Sequence, residues 1–216
     1  MNLQKLFETQ RVLDEHIYEK HPELRGQNNL DWKILALQVE LGECANEWRG
    51  FKKWSNDQEP RTYVPNPNDL CKACNGQGYT DKHLDIKHWK FCKECDGCGA
   101  HYHNPLLEEY VDCLHFILSI GLEMELDCRY SSLIREENIV EEGEPTLYLF
   151  AEVFAFTSDL FWSCHQEDDE QQEGNYKALF TNFVQLGKSL SFSWDEIEQA
   201  YFDKNQINHE RQESGY

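Results

Sequence analysis

One stretch of this sequence constrains the fold more than any other, because it is apolar on nearly every side of a helix and yet carries acids. From Leu106 to Leu122 the residues are Leu, Tyr, Val, Cys, Phe, Ile or Gly, with these exceptions: Glu108, Glu109, Asp112, His115 and Ser119. A helix that is apolar all round is expected to be buried. Glu109 and Asp112 share one face of it, so these carboxylates need cations or hydrogen bonds as partners.

A second segment repeats this arrangement. Glu40 and Glu43, with Glu47 one turn further, are embedded among Ile, Leu, Val, Ala and Cys. Two helices with acidic pairs can face each other across a bundle, where four carboxylates repel one another unless a divalent cation lies between them. Oxygen ligands favour Mg²⁺ or Mn²⁺, and such a site suits metal-assisted phosphoryl chemistry. One such pair is more often a solvated helix face, but two pairs on apolar helices favour the metal site.

The periodicity of the remaining sequence predicts an all-α fold. Six helices are expected over about residues 3–20, 31 to 48 or 51, 105–126, 146–164, 175–190 and from 193 to near the C-terminus. Asp31 is a plausible N-cap, and Ser193 has capping-box spacing to Glu196. The acidic run at residues 166–173 is interpreted as a solvated loop. Strand signals are confined to residues 55–104.

Residues 55–104 are interpreted as an insertion into a helical domain formed by residues 1–54 and 105–216. This segment holds five of the nine Cys, four of them in two copies of the pattern CxxCxGxG. The spacing predicts one structural zinc ion with four ligands: Cys71, Cys74, Cys92 and Cys95. Cys98 is a fifth thiol that either stays free or exchanges with Cys95. Whether the insertion contacts substrate, a protein partner or neither is left open.

The charge balance excludes several classes of function. Lys and Arg total 20 against 40 Asp and Glu, a formal net charge of -20. That balance argues against nucleic-acid binding and against a polybasic membrane surface. No apolar run reaches the ~18 residues of a membrane span, and no secretory signal is expected. Paired cysteines without such a signal indicate metal binding in a reducing cytoplasm.

The last helix carries a basic and amide stripe. Lys204, Asn208 and Arg211 recur on one face, where they could hold phosphate oxygens beside a metal site. Such a stripe is more often a surface face that pairs with acids. Lys52 and Trp54 form another candidate nucleotide contact just past the second helix, and the alternative there is a Trp that packs on the helix end.

Five segments in this order resemble the dimeric, all-α dUTP diphosphatases. They are LFETQRVLDEHI at residues 6–17, ELGECANE at 40–47, FKKW at 51–54, EYVDCLHF at 109–116 and the closing residues 204–216. That family belongs to the all-α NTP pyrophosphatase superfamily, which includes MazG-like enzymes of helical-bundle fold. The inserted cysteine motif resembles the cysteine-rich module of J-domain co-chaperones.

The resemblance implies a cofactor, a substrate and their ligands. Two or more Mg²⁺ ions would bind four carboxylates: Glu40, Glu43, Glu109 and Asp112. Gln10 and Asp14 would recognise uracil and deoxyribose, and Trp54 and His115 would line the nucleoside pocket. The phosphates would be held by the following residues: Lys52, Lys204, Asn208 and Arg211. A homodimer in the cytoplasm of a bacterial cell, encoded by the cell or by a phage, is also implied.

The expected reaction is Mg²⁺-dependent hydrolysis of dUTP, with dUDP as a second candidate substrate. Water attacks the α-phosphorus and releases dUMP and pyrophosphate, with Glu40 as the carboxylate that orients the water and Glu43 as second choice. Two alternatives stay open. One is a dCTPase or a broader NTP pyrophosphatase. The other is a non-catalytic, nucleotide-sensing regulatory protein that binds a partner through its zinc module.

Overall fold

The computed structural model describes residues 2–82, 86–126, 145–166 and 168–215. Their contacts divide the chain into two compact units, one made of Met1–Glu59 with Leu107–Tyr216 and the other of Pro60–Leu106. Among the described residues, no helix is both long and apolar enough to cross a membrane.

The expected all-α architecture is confirmed over the described residues. Its α-helices are α1 (Leu3–Lys20), α2 (Leu30–Trp48), α3 (Pro105–Glu123), α4 (Thr146–His165), α5 (Asp169–Ser189) and α6 (Trp194–Ser214). Short 3₁₀ turns cover Pro22–Leu24 and Ile86–His88. The bounds of α1 are those predicted, and α4 differs from its prediction by one residue.

The N-cap residues of two helices were predicted from the sequence, one correctly and one wrongly. The capping box of α6 is present, with Ser193 accepting from the Glu196 backbone and Glu196 accepting from that of Ser193. The predicted N-cap of α2 was wrong, because Asn29 occupies that position and Asp31 lies in the first turn. Asp31 still favours the helix there through the helix dipole.

The predicted acidic loop before α5 was also wrong. The helix begins at Asp169, and the Asp168 side chain accepts a hydrogen bond of 3.1 Å from the Gln171 backbone amide. Acids at a helix start satisfy unpaired N–H groups and interact favourably with the helix dipole. The charge run therefore starts a helix at Asp169, six residues before the predicted start. Within the run, Glu167 lies outside the described residues.

Helix α3 is the centre of the first unit, as its apolar sequence predicted. Its side chains from Tyr110 to Ile120 are mostly inaccessible to solvent. The Tyr110 hydroxyl donates to the Phe183 carbonyl oxygen at 3.0 Å and lies over Gly187, where a Cβ atom would come within 2.4 Å of it. Glycine at 187 is therefore required for α5 to pack this closely on α3. This burial holds the polar residues of α3 in fixed positions.

The second unit contains the strands of the described chain. β1 (Val64–Leu70) pairs antiparallel with β4 (Ala100–His103), and β2 (Tyr79–Asp81) pairs antiparallel with β3 (Lys90–Phe91). The prediction that strands lie only within residues 55–104 is confirmed for the described residues.

Candidate functional site

Three predicted metal ligands converge between α2 and α3. We call Glu40, Glu43 and Glu109 the acidic cluster, because a carboxylate oxygen from each lies within 4.8 Å of the others. The i, i+3 spacing on each helix puts the acids on facing sides, as the sequence predicted. Such a group of like charges is favourable only with protons or a cation among them.

The electrostatics of the acidic cluster reflect this crowding. Burial, then repulsion by Asp112 and Glu43, raises the pKa of Glu40 to about 7. Burial and the same two neighbouring acids raise the pKa of Glu109 to about 7 as well. These carboxyls are therefore only partly ionised at neutral pH unless a cation neutralises the site.

Asp112, the fourth predicted ligand, lies beside the acidic cluster but is paired with a cation. Lys204 Nζ donates to Asp112 Oδ2 at 2.6 Å and to Glu108 Oε1 at 3.2 Å. Lys204 is 6% exposed. Burial raises the pKa of Asp112 despite the opposing charge of Lys204. Lys204 thus pairs with acids in this structure. Pairing with acids was the alternative to phosphate binding that the sequence left open for the basic stripe.

A cavity of about 350 Å³ adjoins these acids in the helical unit. Residues that the sequence singled out on four helices line it: Gln10, Asp14, Glu40, Asp112, His115, Asn208 and Arg211. Arg211 Nη1 lies 3.5 Å from Asn208 Oδ1. One cavity therefore joins two of the predicted metal ligands, three of the predicted nucleoside residues and two of the predicted phosphate ligands.

A buried hydrogen-bond network fixes the wall of this cavity. Gln10 Nε2 donates to Asp14 Oδ1 at 2.7 Å, so Gln10 Oε1 is the acceptor of the amide. That oxygen accepts from the Tyr201 hydroxyl at 2.9 Å and from His115 Nδ1 at 2.8 Å. Ser119 donates to Asp14 Oδ2 at 2.7 Å. The Gln10 amide is therefore held in one orientation.

The same network sets the tautomer of His115. Burial, with the nearby charge of Lys204, lowers the pKa of His115 to about 3, so the imidazole is neutral. Its Nδ1 carries the proton donated to Gln10, which leaves Nε2 as an acceptor. Within the described residues, His115 Nε2 is buried and has no hydrogen-bond partner. A ligand in the cavity can supply the missing N–H or O–H donor.

Sequence reasoning missed a second network, which reaches the cavity through Tyr18 and Lys33. Lys33 Nζ donates to Glu123 Oε2 at 2.7 Å and to the Tyr18 hydroxyl at 3.0 Å, and it lies 3.9 Å from Asp14 Oδ2. Although burial opposes both shifts, this pairing raises the pKa of Lys33 and lowers that of Glu123. The available signal was spacing, because Lys33 precedes Glu40 by seven residues on an apolar helix face.

Two predicted substrate residues lie elsewhere on the helical unit. Trp54 is 78% exposed and packs edge-on against Phe51, with ring centroids 5.7 Å apart. Lys52 donates to Asn46 Oδ1. Neither Lys52 nor Trp54 is among the described residues that line the cavity. Their contact with a nucleotide stays a prediction.

The predicted zinc ligands come together in the second unit. We call Cys71, Cys74, Cys92 and Cys95 the thiol cluster; their sulfurs lie within 4.8 Å of one another and all four side chains are buried. Cys98 is exposed and lies outside this cluster.

Comparison with known proteins identifies the helical part of the chain. No individual curated protein matches it. The sequence profile of a family described as dUTPase matches residues 2–64 and 81–216. The unmatched residues 65–80 include the first CxxC pair, and the match extends further into the insertion than the resemblance noted from sequence. With a match over most of its length and a helical fold, the chain belongs to the dUTPase family.

Proposed function

We propose that this protein hydrolyses dUTP to dUMP and pyrophosphate with Mg²⁺ bound at the acidic cluster and Asp112. The observation that carries the proposal is the cavity that joins Glu40 and Asp112 to Gln10, His115 and Arg211, in a chain of the dUTPase family. Neither a group of acids alone nor a pocket alone would favour a nucleoside triphosphate as the ligand so strongly.

The donor set supports the metal. Carboxylate oxygens are the hard ligands that Mg²⁺ prefers, and three of them already approach within 4.8 Å. The raised pKa values of Glu40 and Glu109 mean that the cluster without cations is electrostatically unfavourable. Cation binding would relieve that repulsion, because a divalent charge favours the ionised form of every acid near it.

The remaining cavity residues suit the other parts of the substrate. His115 Nε2 offers a buried acceptor to a base that carries an N–H group, and the fixed Gln10 amide positions that imidazole. Uracil has such a group at N3. Asn208 and Arg211, which line the same cavity, supply an amide and a guanidinium for phosphate oxygens. The cavity therefore has an acceptor for the base and a cation for the phosphates.

In the proposed reaction a water oxygen bonds to the α-phosphorus and the bond from that phosphorus to the bridging oxygen breaks. Glu40, with Glu43 as second candidate, orients the water through a carboxylate oxygen, which accepts the proton that the water loses. Bound Mg²⁺ supplies Lewis-acid neutralisation of the phosphate charge. Arg211 counters charge on the departing pyrophosphate, and Lys204 holds Asp112 in place through its hydrogen bond to Oδ2.

The test is a panel of dUTP, dCTP, dTTP, UTP and dUDP with Mg²⁺, scored for released phosphate products. We expect pyrophosphate from dUTP at a kcat/KM well above that of the other triphosphates. Preference for dCTP, or equal turnover of all triphosphates, would replace the proposed substrate with one of the enzymatic alternatives. Tight nucleotide binding without any turnover would favour the regulatory alternative.

A matched pair of variants connects turnover to the site. Glu109→Gln keeps the shape of the side chain and deletes one charge from the acidic cluster, so we expect dUTP hydrolysis to fall while far-UV circular dichroism is unchanged. Glu8→Gln removes an exposed carboxylate of α1 and should leave turnover intact. Equal activity of the two variants would contradict the assignment of the cluster.

A further inference from the structure

The thiol cluster in the second unit belongs to a different kind of site from the cavity in the helical unit. We propose that it binds one zinc ion in a closed, structural site. This inference does not rest on the proposed hydrolysis, since it concerns residues of Pro60–Leu106 only.

The distances in the cluster match a single tetrahedral ion. The Cys71 and Cys92 sulfurs are 3.8 Å apart, and so are those of Cys74 and Cys95. A zinc–sulfur bond of about 2.3 Å gives a tetrahedron whose edge is about 3.8 Å. A disulfide would need sulfurs about 2.05 Å apart. The thiols are therefore spaced for a shared ion and not for oxidative pairing.

The backbone around the cluster consists of two equivalent turns, one for each CxxC pair. Gly76 N donates to Cys71 O at 3.0 Å, and Gly97 N donates to Cys92 O at the same distance. The turns also exchange hydrogen bonds, from Cys71 N to Gly99 O and from Cys92 N to Gly78 O, both 2.9 Å. Two copies of one turn, related in this way, present two thiols each to a common centre.

Glycine is required where the two turns meet. Gly78 and Gly99 have φ values of 76° and 86°, and a Cβ atom on either would come within 2.5 Å of a backbone oxygen of the opposite turn. The glycines of the CxxCxGxG pattern therefore allow the left-handed backbone and the close approach that bring the four sulfurs together.

Hydrogen bonds within the turns favour thiolates over thiols. Gly78 N donates to Cys74 Sγ and Gly99 N donates to Cys95 Sγ, each at 3.2 Å. Four thiolates around one Zn²⁺ leave two negative charges, and N–H donors to sulfur stabilise them. Binding would release four protons, one from each thiol. With four protein ligands, no coordination position remains for a substrate, which makes the site structural.

Cys98 is excluded from this coordination by its position. The residue is exposed, and its sulfur donates to the Ala100 carbonyl oxygen at 3.0 Å. This resolves the choice left open by the sequence in favour of Cys95 as the ligand from the second pair. Cys98 therefore provides a control thiol three residues from a proposed ligand.

The stability of the unit depends on such an ion. The buried cluster at its centre consists of the four cysteines, while Tyr63, Leu70 and Phe91 are more than half exposed. A unit this short rarely folds on its apolar core alone, and metals or disulfides usually provide the missing stability. The free energy of zinc binding would supply it here.

The experiment uses the full-length protein purified under reducing conditions and compares Cys71→Ser/Cys92→Ser with Cys98→Ser. Elemental analysis should give one zinc per chain in the parent and in Cys98→Ser, and none in the double variant. Reconstitution with Co²⁺ should give the intense visible absorption of tetrahedral cobalt thiolate in the first two proteins only. Protection of amides in residues 60–106 from hydrogen exchange should be lost with the zinc.

Several results would overturn the proposal. Parent protein without bound metal would refute the proposal. Iron found in place of zinc would refute the identity of the proposed metal. Loss of zinc from Cys98→Ser would refute the ligand set. The cobalt absorption is measured on the parent protein, so it tests tetrahedral thiolate coordination even if the double variant does not fold. None of these results depends on turnover of dUTP.

Discussion

Replacing Glu40 with Gln should stabilise the cation-free protein at pH 8 but not at pH 4.5. The pKa of Glu40 is about 7 in the fold, against 4.5 as its ordinary value. Between these values the folded state binds more protons than the unfolded state, so the free energy of unfolding falls as pH rises through this window. The stability that protonated Glu40 contributes is fully present below about pH 4.5 and lost above about pH 7. Gln removes the ionisation that causes the loss.

The magnitude follows from the difference between 4.5 and about 7. At 1.36 kcal/mol per pKa unit the upper bound is about 3.4 kcal/mol. Glu40 is partly exposed, and solvent screening reduces the effect to about 1.5 kcal/mol. For a chain of this length, that change corresponds to roughly 3–6 °C in Tm.

The assay is thermal unfolding followed by circular dichroism at pH 4.5 and pH 8, without added divalent cations and then with Mg²⁺. Mg²⁺ should stabilise the parent more than it stabilises Glu40→Gln. Added Mg²⁺ should therefore remove or reverse the difference in Tm between the two proteins at pH 8. Glu8→Gln serves as the control and should change the unfolding free energy by less than about 0.5 kcal/mol at either pH. A Glu40→Gln protein less stable than the parent at pH 8 would refute the reasoning.

Three further predictions concern cations, assembly and the cavity wall. Brief treatment with excess EDTA should stop dUTP hydrolysis, and Mg²⁺ alone should restore it, because zinc in a closed thiolate site leaves slowly; a requirement for added zinc would contradict this. Light scattering at micromolar protein should give the mass of a homodimer, since α2 and α4 expose Leu35 and Trp162, each 60% exposed, beside one another; a fully active monomer would contradict it. Tyr201→Phe should raise KM for dUTP about 5-fold with little change in kcat, because Gln10 loses one donor worth about 1 kcal/mol; an unchanged KM would show that the network does not position the binding residues.

Local patterns determined the elements of this protein. The apolar run around Asp112 predicted a buried helix, because helical periodicity and burial follow from nearest neighbours along the chain. The spacing of Glu40 and Glu43 placed them on one face for the same reason. The two CxxCxGxG copies predicted a common centre, since glycine and thiol positions define the turns. In the two helices and in each CxxC turn the decisive interactions span only a few residues, whereas the meeting of the two turns spans 21 residues.

Choices among partners were decided by tertiary packing. From sequence alone Lys204 could either pair with acids on a surface face or hold phosphate, and only the packed helices bring it within 2.6 Å of Asp112, 92 residues away. Gln10 and His115 meet across 105 residues, and that contact fixes which imidazole nitrogen is left to accept from a ligand. Lys33 was missed for the same reason, because its acid partner Glu123 lies 90 residues further along. A side chain's own helix sets the direction in which it points, but the charge and hydrogen-bond partners it meets depend on which other helices pack against that face.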